Sequence, residues 1–206
     1  MTIAGKLSEM QMDALREISN IGLGHAATSL AEMLASKIGM GVPHAEFISF
    51  DRAIQIVGGY EKLVSCVSQK LDGDITGIVF YIFDETSTYR LVDMLMGLEE
   101  GTTTWLDEMA MSTINEIGNI MTGAFISAIS DFANLRISNS VPIFAFDMLA
   151  AILTSLVIAV GRPEEDNVLA IETQLFRDDK KISGHFFLLA EPESITKLLT
   201  ALGLEA

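Results

Sequence analysis

Asp13-Ala-Leu-Arg-Glu17-Ile-Ser-Asn20-Ile-Gly-Leu-Gly24 is answered later in the chain by Ser112-Thr-Ile-Asn-Glu116-Ile-Gly-Asn119-Ile-Met-Thr-Gly123. Asp13 and Ser112, Glu17 and Glu116, Asn20 and Asn119, and Gly24 and Gly123 all lie 99 residues apart, and so do the more distant Pro43 and Pro142. One offset shared by so many polar and conformationally special residues points to an internal duplication. The period is longer than the roughly 20 to 50 residues of a solenoid unit. Two related halves, about 8–98 and about 104–204, are therefore expected inside a single domain spanning 1–206.

Outside the repeat, composition narrows the function classes. A chain of 206 residues, half of them hydrophobic, can bury one large core. Its net charge of −15 opposes nucleic acid as a partner, because affinity for a phosphate backbone rests on Lys and Arg displacing counterions. The longest apolar runs, Gly77 to Phe83 and Leu149 to Val160, fall short of the roughly 18 residues a membrane span needs. With no charged leader at the start and a lone Cys66 in a strand-like run, read as a small core residue, the chain is expected in the cytoplasm.

Element by element, Ser8 and Gln11 form a capping box, and the apolar spacing that follows predicts a helix from about Glu9 to Ser36. Val42 to Leu71 reads as two strands broken by Asp51 and Gly58-Gly59, and Asp74 to Phe83 as a third. Thr86 or Ser87 would cap a helix ending at Gly97. The second half repeats the order, with a helix capped by Thr104 and running from Trp105 to about Ala133. Strands then follow at Ser140 to Phe146, Ala151 to Val160 and Val168 to Phe176. Ile182-Ser-Gly-His echoes Ile75-Thr-Gly-Ile at an offset of 107, so the second half carries extra residues, placed in the polar turn Arg162 to Asn167, and it closes with a helix ending at Gly203. The expected class is α+β, a duplicated helix, three strands, helix unit with a pseudo-twofold axis and a mainly antiparallel sheet.

At steps of four, three, four and four, Asp13, Glu17, Asn20, Gly24 and Thr28 share one helix stripe, and Ser112, Glu116, Asn119, Gly123 and Ser127 share its twin. Asn and Gly are poor helix formers, Gly by about 1 kcal/mol relative to Ala, yet they recur at equivalent places. A solvated helix face whose glycine packs on a neighbouring helix is the competing reading. A carboxylate and a carboxamide one turn apart make half of an active site. Glu pairs with a partner's cation, while Asn, both donor and acceptor, can hold a water in line with phosphorus, the positioning on which phosphoryl transfer depends.

The pattern Asp/Ser-x3-Glu-x2-Asn-x22-Pro, present twice, resembles the signature of the CheC-type chemotaxis phosphatases, the family of CheC, CheX and FliY. Family members with an added C-terminal domain are longer and single-site members keep only one copy of the motif, so the resemblance is expected to be nearest the two-site branch. It implies a protein aspartyl-phosphate phosphatase whose substrate is the response regulator CheY. Glu17 and Glu116 would dock near the regulator's Lys, and Asn20 and Asn119 would orient the attacking water. Asp13 and Ser112 would shape the surface, with Gly24 and Gly123 opening it, and Pro43 and Pro142 would fix turns. The family brings no cofactor of its own, since the Mg²⁺ sits in the partner's site. Asp147-Met148-Leu-Ala-Ala151 is similar to the segment through which members bind the receptor deamidase CheD. The rival reading is a non-catalytic adaptor that binds phosphorylated CheY or CheD.

Other residues read as structural. His25 has Ala124 at the equivalent position, His44 and His185 lack ligand-spaced companions, Trp105 reads as a packing anchor, and the methionines as core filler.

Overall fold

The computed structural model describes residues 8–33, 37–160, 167–177 and 180–204. The first half runs α1 (Glu9–Met33), β1 (Ile38–Ser49), α2 (Phe50–Val57), β2 (Leu63–Gly73), β3 (Gly77–Asp84) and α3 (Glu85–Met96). The second runs α4 (Glu108–Ala133), β4 (Ile137–Asn139), β5 (Ile143–Met148), α5 (Leu149–Val160), β6 (Asn167–Arg177), β7 (Lys180–Ala190) and α6 (Pro192–Ala201). All strand pairs are antiparallel. Residues 34–36 of the expected first helix, and residues 162–166 of the expected polar turn, lie outside the described residues.

Each half contains a helix that the sequence reading missed. Asp51 was expected to break two strands, but Ser49 caps α2 by accepting the Arg52 N–H at 3.2 Å, and Gly58 closes it at φ 125°. Ala53, Ile54 and Val57 form its buried side. Ala151 to Val160 is helical where a strand was expected. Leu149, Ile152, Leu153 and Leu156 are buried at helical spacing, while Thr154 and Ser155 turn outward and donate their hydroxyls to the carbonyls of Ala150 and Ala151. An unbroken apolar run hides its period, and its twelve residues already exceed the usual strand. Two further starts move. Asp107, not Thr104, caps α4 by accepting the Ala110 N–H at 2.8 Å, and Asp84, rather than Thr86 or Ser87, caps α3. Trp105 thereby falls outside the helix and is 68% exposed. The Ser8–Gln11 capping box forms as expected, at 2.7 and 3.3 Å.

Sheet order is β1-β6-β7-β3-β2-β4, with β5 continuing β4 along β2. Only the last two strands of each half form a hairpin; the first strand of each half pairs with the other half, β1 on β6 and β5 on β2. The halves therefore interlock. Across β3 and β7, where the two halves meet, Phe80 and Phe187 face each other with ring centroids 5.1 Å apart. These two residues are separated by the same 107 positions as Ile75 and Ile182.

Helices cover both faces of the sheet. Val79, Tyr81, Phe83, Phe186 and Leu188 pack under α1, α3, α4 and α6, while Ile78, Phe80, Ile82, Phe187 and Leu189 pack under α2 and α5. Central strands buried on both sides explain why Gly77 to Phe83 reads as a continuous apolar run rather than an alternating one. Within the first layer α1 and α4 lie against each other, with Gly22 at the crossing. A Cβ there would sit 3.0 Å from the Phe125 Cα. No helix among the described residues is long and apolar enough to cross a membrane.

Candidate functional site

Burial splits α1 cleanly. Leu15, Ile18, Gly22, Ala26 and Leu30 face the core, and Asp13, Glu17, Asn20, Gly24 and Thr28 are exposed on the opposite side. The α4 stripe does the same with Ser112, Glu116 and Ser127 exposed, and with Asn119 and Gly123 half-buried. A Cβ added at Gly24 or Gly123 would meet nothing within 4 Å. That removes the packing-glycine reading, because these glycines leave open surface beside each Asn, where another molecule can approach closely. Packing contacts are made instead by Gly22 and Gly118, which lie off the stripes.

The surroundings of the two amides differ. Gly118 sits directly on the Val67 side chain, so α4 lies close over β2. That closeness brings Asn119 within reach of Gln69 on β2, whose Nε2 donates to Asn119 Oδ1 at 3.2 Å and to the Ser140 carbonyl at 2.8 Å. On α1, Asn20 is exposed and has no side-chain hydrogen bond among the described residues. Register identifies the residue standing where Gln69 would be. Ser68 pairs with Ile143 and Glu172 with His44, 99 residues before Ile143, so Thr173 occupies the position equivalent to Gln69. The α1 stripe instead carries an exposed ion pair, Arg16 to Asp13 at 2.8 Å, where α4 has Asn115 and Ser112.

Pro43 and Pro142 do not sit in turns, as expected, but at matching irregularities of the two edge strands. On β1, Val42 and Pro43 together oppose the single residue Thr173, between the pairs Gly41–Gln174 and His44–Glu172. On the other edge, Ser140, Val141 and Pro142 oppose only Gln69 and Lys70, between the pairs Asn139–Leu71 and Ile143–Ser68. Each is a bulge of one extra residue, where a residue without an N–H is tolerated. The fixed Asn-to-Pro spacing thus joins a helix position to a bulge on the strand that follows it.

Asp147, Met148 and Ala151 lie elsewhere, at the junction of β5 and α5 on the opposite side of the sheet from both stripes. All three are exposed, and the Asp147 carboxylate accepts the Met148 N–H at 2.7 Å. Beside them a groove of about 270 Å³ runs between β5 and α5, with Asp147, Ala151, Ile143 and Leu156 among its lining residues. Cys66 is buried beneath this face, where desolvation pushes its thiol up to about 12. His185 is held below the usual imidazole value by burial, against the opposing pull of Glu172. No group of three potential metal-ligating side chains occurs among the described residues.

One residue pair and one single residue escaped the sequence reading. Met10 and Met109 continue the stripes one turn toward the helix N-termini and are 70% and 63% exposed, with Met33, Met96 and Met148 also exposed, so these methionines are not core filler. The 99-residue separation of Met10 and Met109 was a sufficient signal. Gln69 carried none, since its place beside Asn119 comes only from the pairing of β2 with the other half.

The CheC-like family pattern fits this chain twice, over residues 10–46 and 109–145, each stretch holding one stripe and its proline. Over 98% of its length the chain is 32% identical to the CheY-P phosphatase CheC of Bacillus subtilis, and it covers 99% of that protein. Its fold matches Thermotoga maritima FliY with a TM-score of 0.79 over 96% of this chain and 98% of that one, at 20% identity. It also matches a chain of the CheX–CheY–BeF3–Mg²⁺ complex of Borrelia burgdorferi with a TM-score of 0.53 over 82% and 96%, at 18% identity.

Proposed function

The chain belongs to the CheC-like family, and from that premise we propose that it is an enzyme hydrolysing the aspartyl phosphate of a CheY response regulator, at one site on α1 and one on α4. The observation that carries this reading is the repeated outward stripe, a Glu and an Asn one turn apart beside a glycine with open space over it. Glu17 and Glu116 dock by pairing with the cationic surround of the regulator's phosphoryl group. Asn20 and Asn119 hold a water in line with phosphorus; the water forms the new P–O bond, the bond to the regulator's carboxylate breaks, and inorganic phosphate leaves. Asp13 and Ser112 open the stripes. Met10 and Met109, exposed at their ends, supply an apolar contact beside the charged one. The Mg²⁺ comes with the regulator, and this chain brings no cofactor to the cytoplasmic reaction.

Phosphate release from phosphorylated CheY is the test. The double variant Asn20→Ala/Asn119→Ala is expected to lose about 10² to 10³ in rate while still binding the regulator in a calorimetric titration. Wild-type turnover in that double variant would overturn the roles given to the amides. Binding without any hydrolysis by the unmodified chain would make it an adaptor.

A second surface takes the receptor deamidase CheD. What favours it is the exposure of Asp147, Met148 and Ala151 beside the apolar groove, on the side of the sheet away from both stripes. Asp147→Lys should remove CheD binding in a pull-down while phosphate release continues at its normal rate. Equal loss of both would mean one shared surface, and undiminished CheD binding would return the segment to a packing role.

A further inference from the structure

We propose that Gln69 is the positioning residue of the α4 site, and that the Pro142 bulge and Gln69 form a relay fixing the orientation of the Asn119 amide, a relay with no counterpart at Asn20 among the described residues. The proposal rests on the phosphatase reading above and adds a ranking of the two sites to it.

The relay starts at an atom whose role is unambiguous. A backbone carbonyl can only accept, so Ser140 C=O at 2.8 Å fixes the NH2 end of Gln69 toward itself. That same NH2 lies 3.2 Å from the Asn119 side chain, which must present an acceptor there, its Oδ1. A planar carboxamide carries its NH2 on the other side, so Asn119 Nδ2 is turned away from Gln69, and it has no partner among the described residues. Ser140 is available for this because it opens the bulge that Pro142 ends. Its N–H donates to the Lys70 carbonyl at 2.9 Å, and its hydroxyl accepts the Lys70 N–H at 3.0 Å.

Stability alone would not select Gln at this position. The side chain is 2% exposed, and its Oε1 is buried with no partner among the described residues. An unpaired buried acceptor is destabilising, and an apolar side chain of the same length would remove it. By its register against the edge strand, Thr173 of β6 takes the corresponding position in the other half, and a threonine has neither the length nor the amide of glutamine. An amide held before the partner arrives has less freedom to lose on reaching the reactive geometry. The α4 site is therefore the faster of the two.

Single-site chains test this. Asn20→Ala leaves only the α4 site and Asn119→Ala only the α1 site, and Gln69→Met is then added to each. In the Asn20→Ala chain Gln69→Met should lower kcat for phosphate release about five- to tenfold, the worth of one positioning hydrogen bond. KM should be nearly constant and the thermal midpoint unchanged or higher. In the Asn119→Ala chain the rate should not move. An unchanged kcat in the first background, or an equal loss in both, overturns the relay. If even the Asn20→Ala/Asn119→Ala chain hydrolyses at full rate, it is the role given to the two amides under Proposed function that has failed, and the relay with it. Should Gln69→Met lower the midpoint, the side-chain amide order parameters of the unmodified protein decide. Asn119 is expected to be the more rigid amide, and equal mobility of Asn20 and Asn119 overturns the proposal.

Discussion

The α1 and α4 stripes carry the same acid, amide and open glycine, but among the described residues only the α4 amide is braced from below. Asn119 leans on Gln69, which belongs to the other half of the chain, while Asn20 is exposed and makes no side-chain hydrogen bond among the described residues. Duplication copied the outward-facing residues together with their helix. The support is a separate matter, because it comes across the interlocked sheet: β2 of the other half lies under α4 and supplies Gln69, whereas the register-equivalent residue of β6 is Thr173. The α4 site is thus a joint product of both halves, and changes in the first half reach it.

Charge reversal should give the largest effect and the most symmetrical one. Glu17→Lys and Glu116→Lys are both expected to weaken docking of phosphorylated CheY at their own helices by similar amounts. Together they should lower affinity on the order of 10- to 100-fold, because attraction becomes repulsion on an exposed surface. Titration of the regulator against the three variants checks this, and markedly unequal single effects would extend the asymmetry to the docking acids.

Gly118→Ala attacks the bracing itself. A methyl group would be driven into Val67, and overpacking of this kind costs about 1 to 3 kcal/mol. Thermal unfolding should report that loss, and phosphate release should fall in an Asn20→Ala background more than in an Asn119→Ala one. A uniform fall would mean that α4 shifts without disturbing the amide.

Between the single amide variants, Asn119→Ala should leave severalfold less total phosphate release than Asn20→Ala, in proportion to about 1 kcal/mol for the bracing hydrogen bond. Equal residual rates would break the comparison outright.

The smallest expected effect concerns β2 as a rigid base. Burial pushes the Cys66 thiol up to about 12, so native protein at pH 8 should react with an alkylating reagent far more slowly than unfolded chain. Between the ordinary thiol value of about 8.5 and the raised one, the unfolded chain gives up a proton that the native state keeps, so stability falls as pH rises through that window. Rapid native alkylation would show that β2 opens locally and cannot serve as a fixed support.

Periodicity and offset are properties of the chain, and they sufficed for the duplication, the two long helices, both Glu/Asn stripes and the terminal hairpins. Helical spacing alone puts Glu17 and Asn20 on one face, whatever lies beneath. Short or uniformly apolar segments were not legible. Phe50 to Val57 is too brief for a period to emerge, and Leu149 to Val160 is apolar almost throughout, so burial against the sheet had to decide that both are helices. Pro43 and Pro142 were visible as a fixed spacing, but their work at edge-strand bulges depends on which strands become neighbours. Gln69 was invisible for the same reason. It is distant in sequence from both Asn119 and Ser140, and only cross-half strand pairing, together with the missing side chain at Gly118, brings the three within hydrogen-bonding distance. Helical spacing alone set which residues face outward twice. Tertiary structure decided which of the two amides is held, because a hydrogen bond between distant residues exists only once long-range packing has set their separation.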